Sequence, residues 1–179
     1  MSNITKAVAA LSVVAGLGVA ALPLSSFAAT SQVDITAIVD NTIGISTSAD
    51  EVTVSVTADG PVVTKGVDVT VTTNSTAGYT LGIMDSDTNT ALVKTNDNGV
   101  ADGTIPAGQP AKGTAAWGYQ GGTKTNWTPV TTSNAIFVTT SSSTLNGSET
   151  TPVTFGVSAA SNTAEGTYKG GVIFTATAK

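Results

Sequence analysis

The sequence predicts an all-β protein, an antiparallel β-sandwich of about nine or ten short strands following an N-terminal signal peptide. Three observations carry this. Valine and isoleucine alternate with threonine, serine or aspartate in window after window, the period of a strand with one buried and one wet face. Clusters of Asn, Asp, Gly and Pro separate those windows. Helical periodicity is missing from every window after residue 28.

The first 28 residues predict a cleaved secretory signal rather than fold. Lys6 supplies a weak positive start, Ala7 to Leu22 is an uncharged apolar run, Pro23 breaks it, and Ser26-Phe27-Ala28 has small residues at the −3 and −1 positions of a cleavage site. The run is short for a membrane span, and no Cys follows the cut to take a lipid. Residues 29–179 then form one domain, of a size that buries roughly 70% of its unfolded surface.

The elements of that domain follow in order. Gln32 to Val39 alternates at Val33, Ile35, Ala37 and Val39, predicting a strand. Ile43-Gly44-Ile45 is a short apolar piece. Val52, Val54 and Val56 predict the next strand, closed by the turn Asp59-Gly60-Pro61. Val67, Val69 and Val71, then Asn74 to Gly78, then Tyr79, Leu81 and Ile83 predict an antiparallel hairpin over 67–84. Residues 85–113 are the most polar stretch, with short strands at 90–94 and 100–105. Ala115 to Tyr119 and Trp127 to Val130 predict a hairpin across Gly121-Gly122. Ala135 to Thr139, a turn at Asn146-Gly147, Pro152 to Ser158 and Tyr168 to Lys179 complete the chain.

Composition excludes several function classes. The chain has no Cys, no His and no Arg, and beyond residue 28 six Lys face twelve Asp and Glu. A chain of formal charge −6 without Arg is a poor partner for phosphate backbones or anionic lipid, so nucleic acid is excluded and the membrane matters only during export. Thiol chemistry is absent, and without His the common transition-metal sites go with it. No Gly-x-Ser-x-Gly elbow and no carboxylate pair stands out, so no catalytic residue is expected and the protein is not an enzyme. The chain holds 33 Thr, whose stiff, strand-favouring side chains keep an outer sheet face soluble without charge.

Four constellations remain. Asp85-x-Asp87-x-Asn89 has the alternate spacing of a calcium loop opening, although Thr90 and Asn96 occupy the positions where Gly and Glu are diagnostic. Calcium is therefore the one cofactor considered, and a polar loop tip the plainer reading. Trp117, Tyr119 and Trp127 are three of eight aromatics after residue 28, and exposed they would form a platform for glycans or a protein partner; buried, they are hairpin core. Gly166-x-Tyr168 has the form of a tyrosine corner, a structural device in which the hydroxyl bonds backward. Val33, Ile35, Ala37 and Val39 could leave their own domain and complete a neighbour's sheet.

The layout of Gln32 to Ile45 with Ala164 to Thr177 resembles secreted fimbrial and spore-coat-type sandwich subunits, which open on a Val/Thr strand and end on a Gly-x-Tyr strand. Thr72 to Leu81, Trp117-Gly-Tyr119 and the same ending resemble uncharacterised Thr-rich surface proteins of small-genome and Gram-positive-type bacteria. A weaker resemblance is to Trp-x-Leu cell-wall-binding domains, whose Leu is missing from both Trp117-Gly-Tyr119 and Trp127-Thr-Pro129. These resemblances imply an Ig-like or pilin-like sandwich, secreted and extracellular or on the cell surface. They imply a structural or adhesive role, with other surface proteins, copies of itself or glycans as partners.

Overall fold

A computed structural model of the chain describes residues 32–144 and 147–179. The signal peptide expected over 1–28, and Asn146 of the expected turn, lie outside the described residues. The chain divides into a unit ending at Ile38 and a second unit, Val39–Lys179. The described part of the first unit, residues 32–38, belongs to no strand.

The second unit is an antiparallel, sandwich-like all-β fold of eleven strands among the described residues: β1 (Ile43–Thr47), β2 (Val63–Thr73), β3 (Tyr79–Asp85), β4 (Leu92–Thr95), β5 (Ala101–Ile105), β6 (Ala116–Gly121), β7 (Lys124–Thr128), β8 (Ala135–Thr139), β9 (Glu149–Ser158), β10 (Tyr168–Lys169) and β11 (Val172–Ala178). They form a five-stranded sheet ordered β1-β2-β9-β6-β7 and two three-stranded sheets, β11-β3-β8 and β10-β4-β5.

The core lies between these sheets. On β2, Val67, Val69 and Val71 are buried while Asp68 and Thr72 are exposed, so the period-two pattern selects the inner face. Tyr79, Leu81 and Ile83 do the same on β3. Tyr119 of β6 meets Phe137 of β8 edge-on at 5.9 Å between ring centroids, and Phe137 meets Phe174 of β11 at 6.3 Å. These aromatics fasten one sheet to the other, each buried ring adding area and edge-to-face contact.

The expected hairpin over 67–84 is not formed. β2 pairs with β1 and β9, whereas β3 pairs with β11 and β8. The turn at Asn74 to Gly78 carries the chain from one sheet to the other, so Val69 and Leu81 enter the same core from different sheets. Gly78 takes φ 85° there, and a β-carbon would collide with the Thr140 backbone. The C-terminal pair behaves likewise, β9 and β11 lying in different sheets. True hairpins do form at β6–β7, across Gly122 at φ 53°, and at β4–β5.

Two expected strands are absent. Residues 32–39 carry no ladder because a strand exists only against a partner, and none pairs with them among the described residues. Val52, Val54 and Val56 are half-buried, and Val54 and Val56 pack on the core, yet residues 51–57 form no ladder either. Ile43-Gly44-Ile45, by contrast, becomes β1.

Candidate functional site

The aromatic platform is not assembled. Trp117 and Tyr119 are core residues, and the Trp117 indole donates to the Thr90 carbonyl at 2.8 Å, tying the 85–91 loop to β6. Burial of large apolar area decides this against stacking on a ligand. Trp127 is half-buried and lies against Gly156, where a β-carbon would sit 2.5 Å from its ring. The Tyr119 and Tyr79 hydroxyls are buried without a hydrogen-bond partner among the described residues. Burial raises the Tyr119 pKa, and burial with nearby Glu149 pushes that of Tyr79 up to about 12.

Asp85, Asp87 and Asn89 each accept a hydrogen bond from the backbone two residues on. Asp85 accepts from the Asp87 N–H at 3.0 Å, Asp87 from the Asn89 N–H at 2.6 Å, and Asn89 from the Ala91 N–H at 3.2 Å. One oxygen of each side chain closes a local turn two residues on. No group of three Asp, Glu, His or Cys placed to hold a metal occurs among the described residues. Asp85 is itself buried, with Oδ2 unpartnered, and desolvation raises its pKa.

Tyr168 is placed as a corner. Its hydroxyl donates to the Ala164 carbonyl at 2.8 Å, and Gly166, at φ 138°, packs against the Lys94 stem. β10 pairs with β4 beside the Lys94–Asp102 ion pair at 3.1 Å, with Lys94 half-buried and Asp102 exposed.

The remaining constellation is the apolar alternation of residues 33–39. Val33, Ile35 and Val39 are 80, 90 and 84% exposed, and Ile38 is 86% exposed. These large apolar side chains are grouped within seven residues and are exposed to solvent. No family model and no curated protein matches the chain.

The sandwich has an unfinished flank. β1 and β11 are edge strands of their sheets and lie beside each other. Ile43 and Ile45 share the core face with Val71, their register partner being β2, yet they remain 38 and 42% exposed. On β11, Val172, Phe174 and Ala176 share the core face with Ile83 and Leu81 and are only half-buried. The core face thus extends past the last strand that covers it.

Sequence reasoning missed Asn74 and the free edge. Asn74 accepts from the Thr42 N–H at 2.7 Å and donates to the Asp40 carbonyl at 2.9 Å, clamping the chain where it enters β1. The only signal was its place in a turn. The free edge had a sharper one: Ile38 and Ile173 each break the alternation of their stretch by adding an apolar residue at a polar position.

Proposed function

We propose that this chain is an exported, non-catalytic structural protein of the cell surface that polymerises, residues 32–39 of one copy completing the sandwich of the next. The exposed alternation of Val33, Ile35, Ala37 and Val39 carries the reading, because a stretch of this period buries one whole apolar face when it pairs with a sheet edge. The sandwich with half-covered apolar residues on β1 and β11 supports it from the receiving side. A Thr-rich, low-charge outer surface suits a fibre exposed to solvent. Burial of Trp117 and Tyr119 speaks against a glycan-binding role for that pair.

The test is size-exclusion and negative-stain imaging of the chain from residue 29, with and without residues 29–40. Large assemblies that vanish on truncation are expected, with the truncated protein a folded monomer, since residues 32–40 are all exposed. A monomeric parent, or assemblies indifferent to truncation, would overturn the proposal.

A further inference from the structure

Resting on the exchange reading, the geometry points to the free edge of β11 as the acceptor, paired antiparallel with residues 33–39 of a second copy in one register: Ile38 opposite Ile173, Ala37 opposite Phe174, Ile35 opposite Ala176.

The β11 backbone is available. Two bonds bracket its ladder with β3: the Lys179 N–H donates to Gly78, and the Ser86 N–H to Gly171. Antiparallel pairs alternate between bonded and non-bonded. Ile173, Thr175 and Thr177 therefore bond β3, and Val172, Phe174, Ala176 and Ala178 turn their N–H and C=O groups outward. Among the described residues none of these groups bonds another segment. The edges of β8 and β7 are less open. On β8, the Phe137 carbonyl accepts from the Thr123 N–H at 2.9 Å and its hydroxyl at 3.1 Å. On β7, Lys124 guards the edge and the Thr125 carbonyl accepts from Gln120.

Side chains select the register. Val33, Ile35, Ala37 and Val39 fall opposite Ala178, Ala176, Phe174 and Val172, so the smallest donor meets the bulkiest acceptor and a large donor meets a small one. All face the core, over the exposed Ile43 and Ile45 of β1. On the outer face Thr36 meets Thr175, and Ile38 covers Ile173, which is 40% exposed. A parallel strand holding Ile38 at Ile173 would put Val39 against Phe174 and Ile35 at Gly170, losing the size match.

The register also requires a second molecule. Thr42 lies at the Lys179 end of β11: its carbonyl accepts from the Thr73 hydroxyl at 2.7 Å, and Ser75 donates to the Lys179 carbonyl at 2.7 Å. Antiparallel pairing puts Val39 at the opposite end, beside Val172. Six strand residues separate those ends, about 20 Å. The four steps from Val39 to Ile43 span at most about 14 Å. A chain cannot fill its own edge this way.

The chain contains no Cys, so engineered pairs report cleanly. Oxidised Ile35→Cys/Ala176→Cys is expected to give a ladder of disulfide-linked multimers on denaturing gels, and Ile35→Cys/Val172→Cys, four residues out of register, none. Ala176→Pro, which removes one outward N–H and leaves the β3 bonds, is expected to abolish assembly while the monomer stays folded. A disulfide confined to monomers, equal cross-linking of both pairs, or assemblies that survive Ala176→Pro would each overturn the acceptor. If those assemblies still vanish on removing residues 29–40, exchange stands and another edge receives the strand. If they survive that truncation too, the exchange reading itself fails.

Discussion

Asp85→Asn is expected to stabilise the monomer at neutral pH. Asp85 is buried at the end of β3, and Oδ1 accepts from the Asp87 N–H while Oδ2 has no partner. An unsatisfied buried acceptor costs about 1–3 kcal/mol, and its charge adds to that. Asparagine keeps the Oδ1 bond and removes the uncompensated charge, and the two N–H groups it places at the partnerless Oδ2 position offset part of that gain, leaving roughly 1–2 kcal/mol at pH 7. For a domain of this size that is about 2–8 °C in Tm. Desolvation raises the folded-state pKa of Asp85 above its unfolded value. A carboxyl shifted upward contributes stability that is fully present below the unfolded pKa and is lost as pH rises through the folded pKa. The advantage of the Asn variant therefore grows from acid pH toward neutrality and then levels. Thermal melts of both proteins from pH 3.5 to 8 read this directly, and taking the difference cancels every titrating group that does not couple to Asp85, as Asp87 does. An Asn variant less stable than the parent at pH 7 would refute the reasoning. Loss of a calcium-dependent rise in parental Tm in that variant would show instead that Oδ2 serves a cation.

Two further substitutions probe the scaffold. Tyr168→Phe deletes the hydroxyl bond to Ala164 and should cost about 0.5–1.5 kcal/mol by chemical denaturation, and an unchanged midpoint would mean that the corner adds no stability. Gly156→Ala drives a methyl into the Trp127 ring, with an expected loss of about 1–3 kcal/mol and greater acrylamide quenching of tryptophan; unaltered quenching would show that the indole was never held there.

Local faces were legible in the sequence and sheet membership was not. Val67, Val69, Val71, Tyr79, Leu81 and Ile83 alternate and are buried as the alternation demands. The turn between them, Asn74 to Gly78, has the same chemistry whether it folds a strand back on its neighbour or passes it to the opposite sheet. What separates the two outcomes is long-range: β9, some eighty residues away, takes the β2 edge that a hairpin would need, and β11 takes that of β3. The Val52 to Val56 stretch shows the same limit from another side. Period two reports which side chains face the core, and says nothing of whether backbone groups find a ladder.

The candidate site follows the same logic. Alternation at residues 33–39 reads as a strand, and half of that reading concerns side chains alone. Its other half, the partner, is a property of edges that exist only once the sandwich has formed. β11 becomes an edge because β3 bonds Ile173, Thr175 and Thr177 and leaves Val172, Phe174, Ala176 and Ala178 facing out. Ile38 and Ile173 are the residues through which the sequence does touch this question. Each places an apolar group on a face that solvent should own, leaving Ile38 86% and Ile173 40% exposed. Laid edge to edge in the register proposed, the two cover one another, and the same alignment opposes Ala37 to Phe174. A coincidence on one face would carry little; agreement on both faces from a single register is what makes β11 the edge to test.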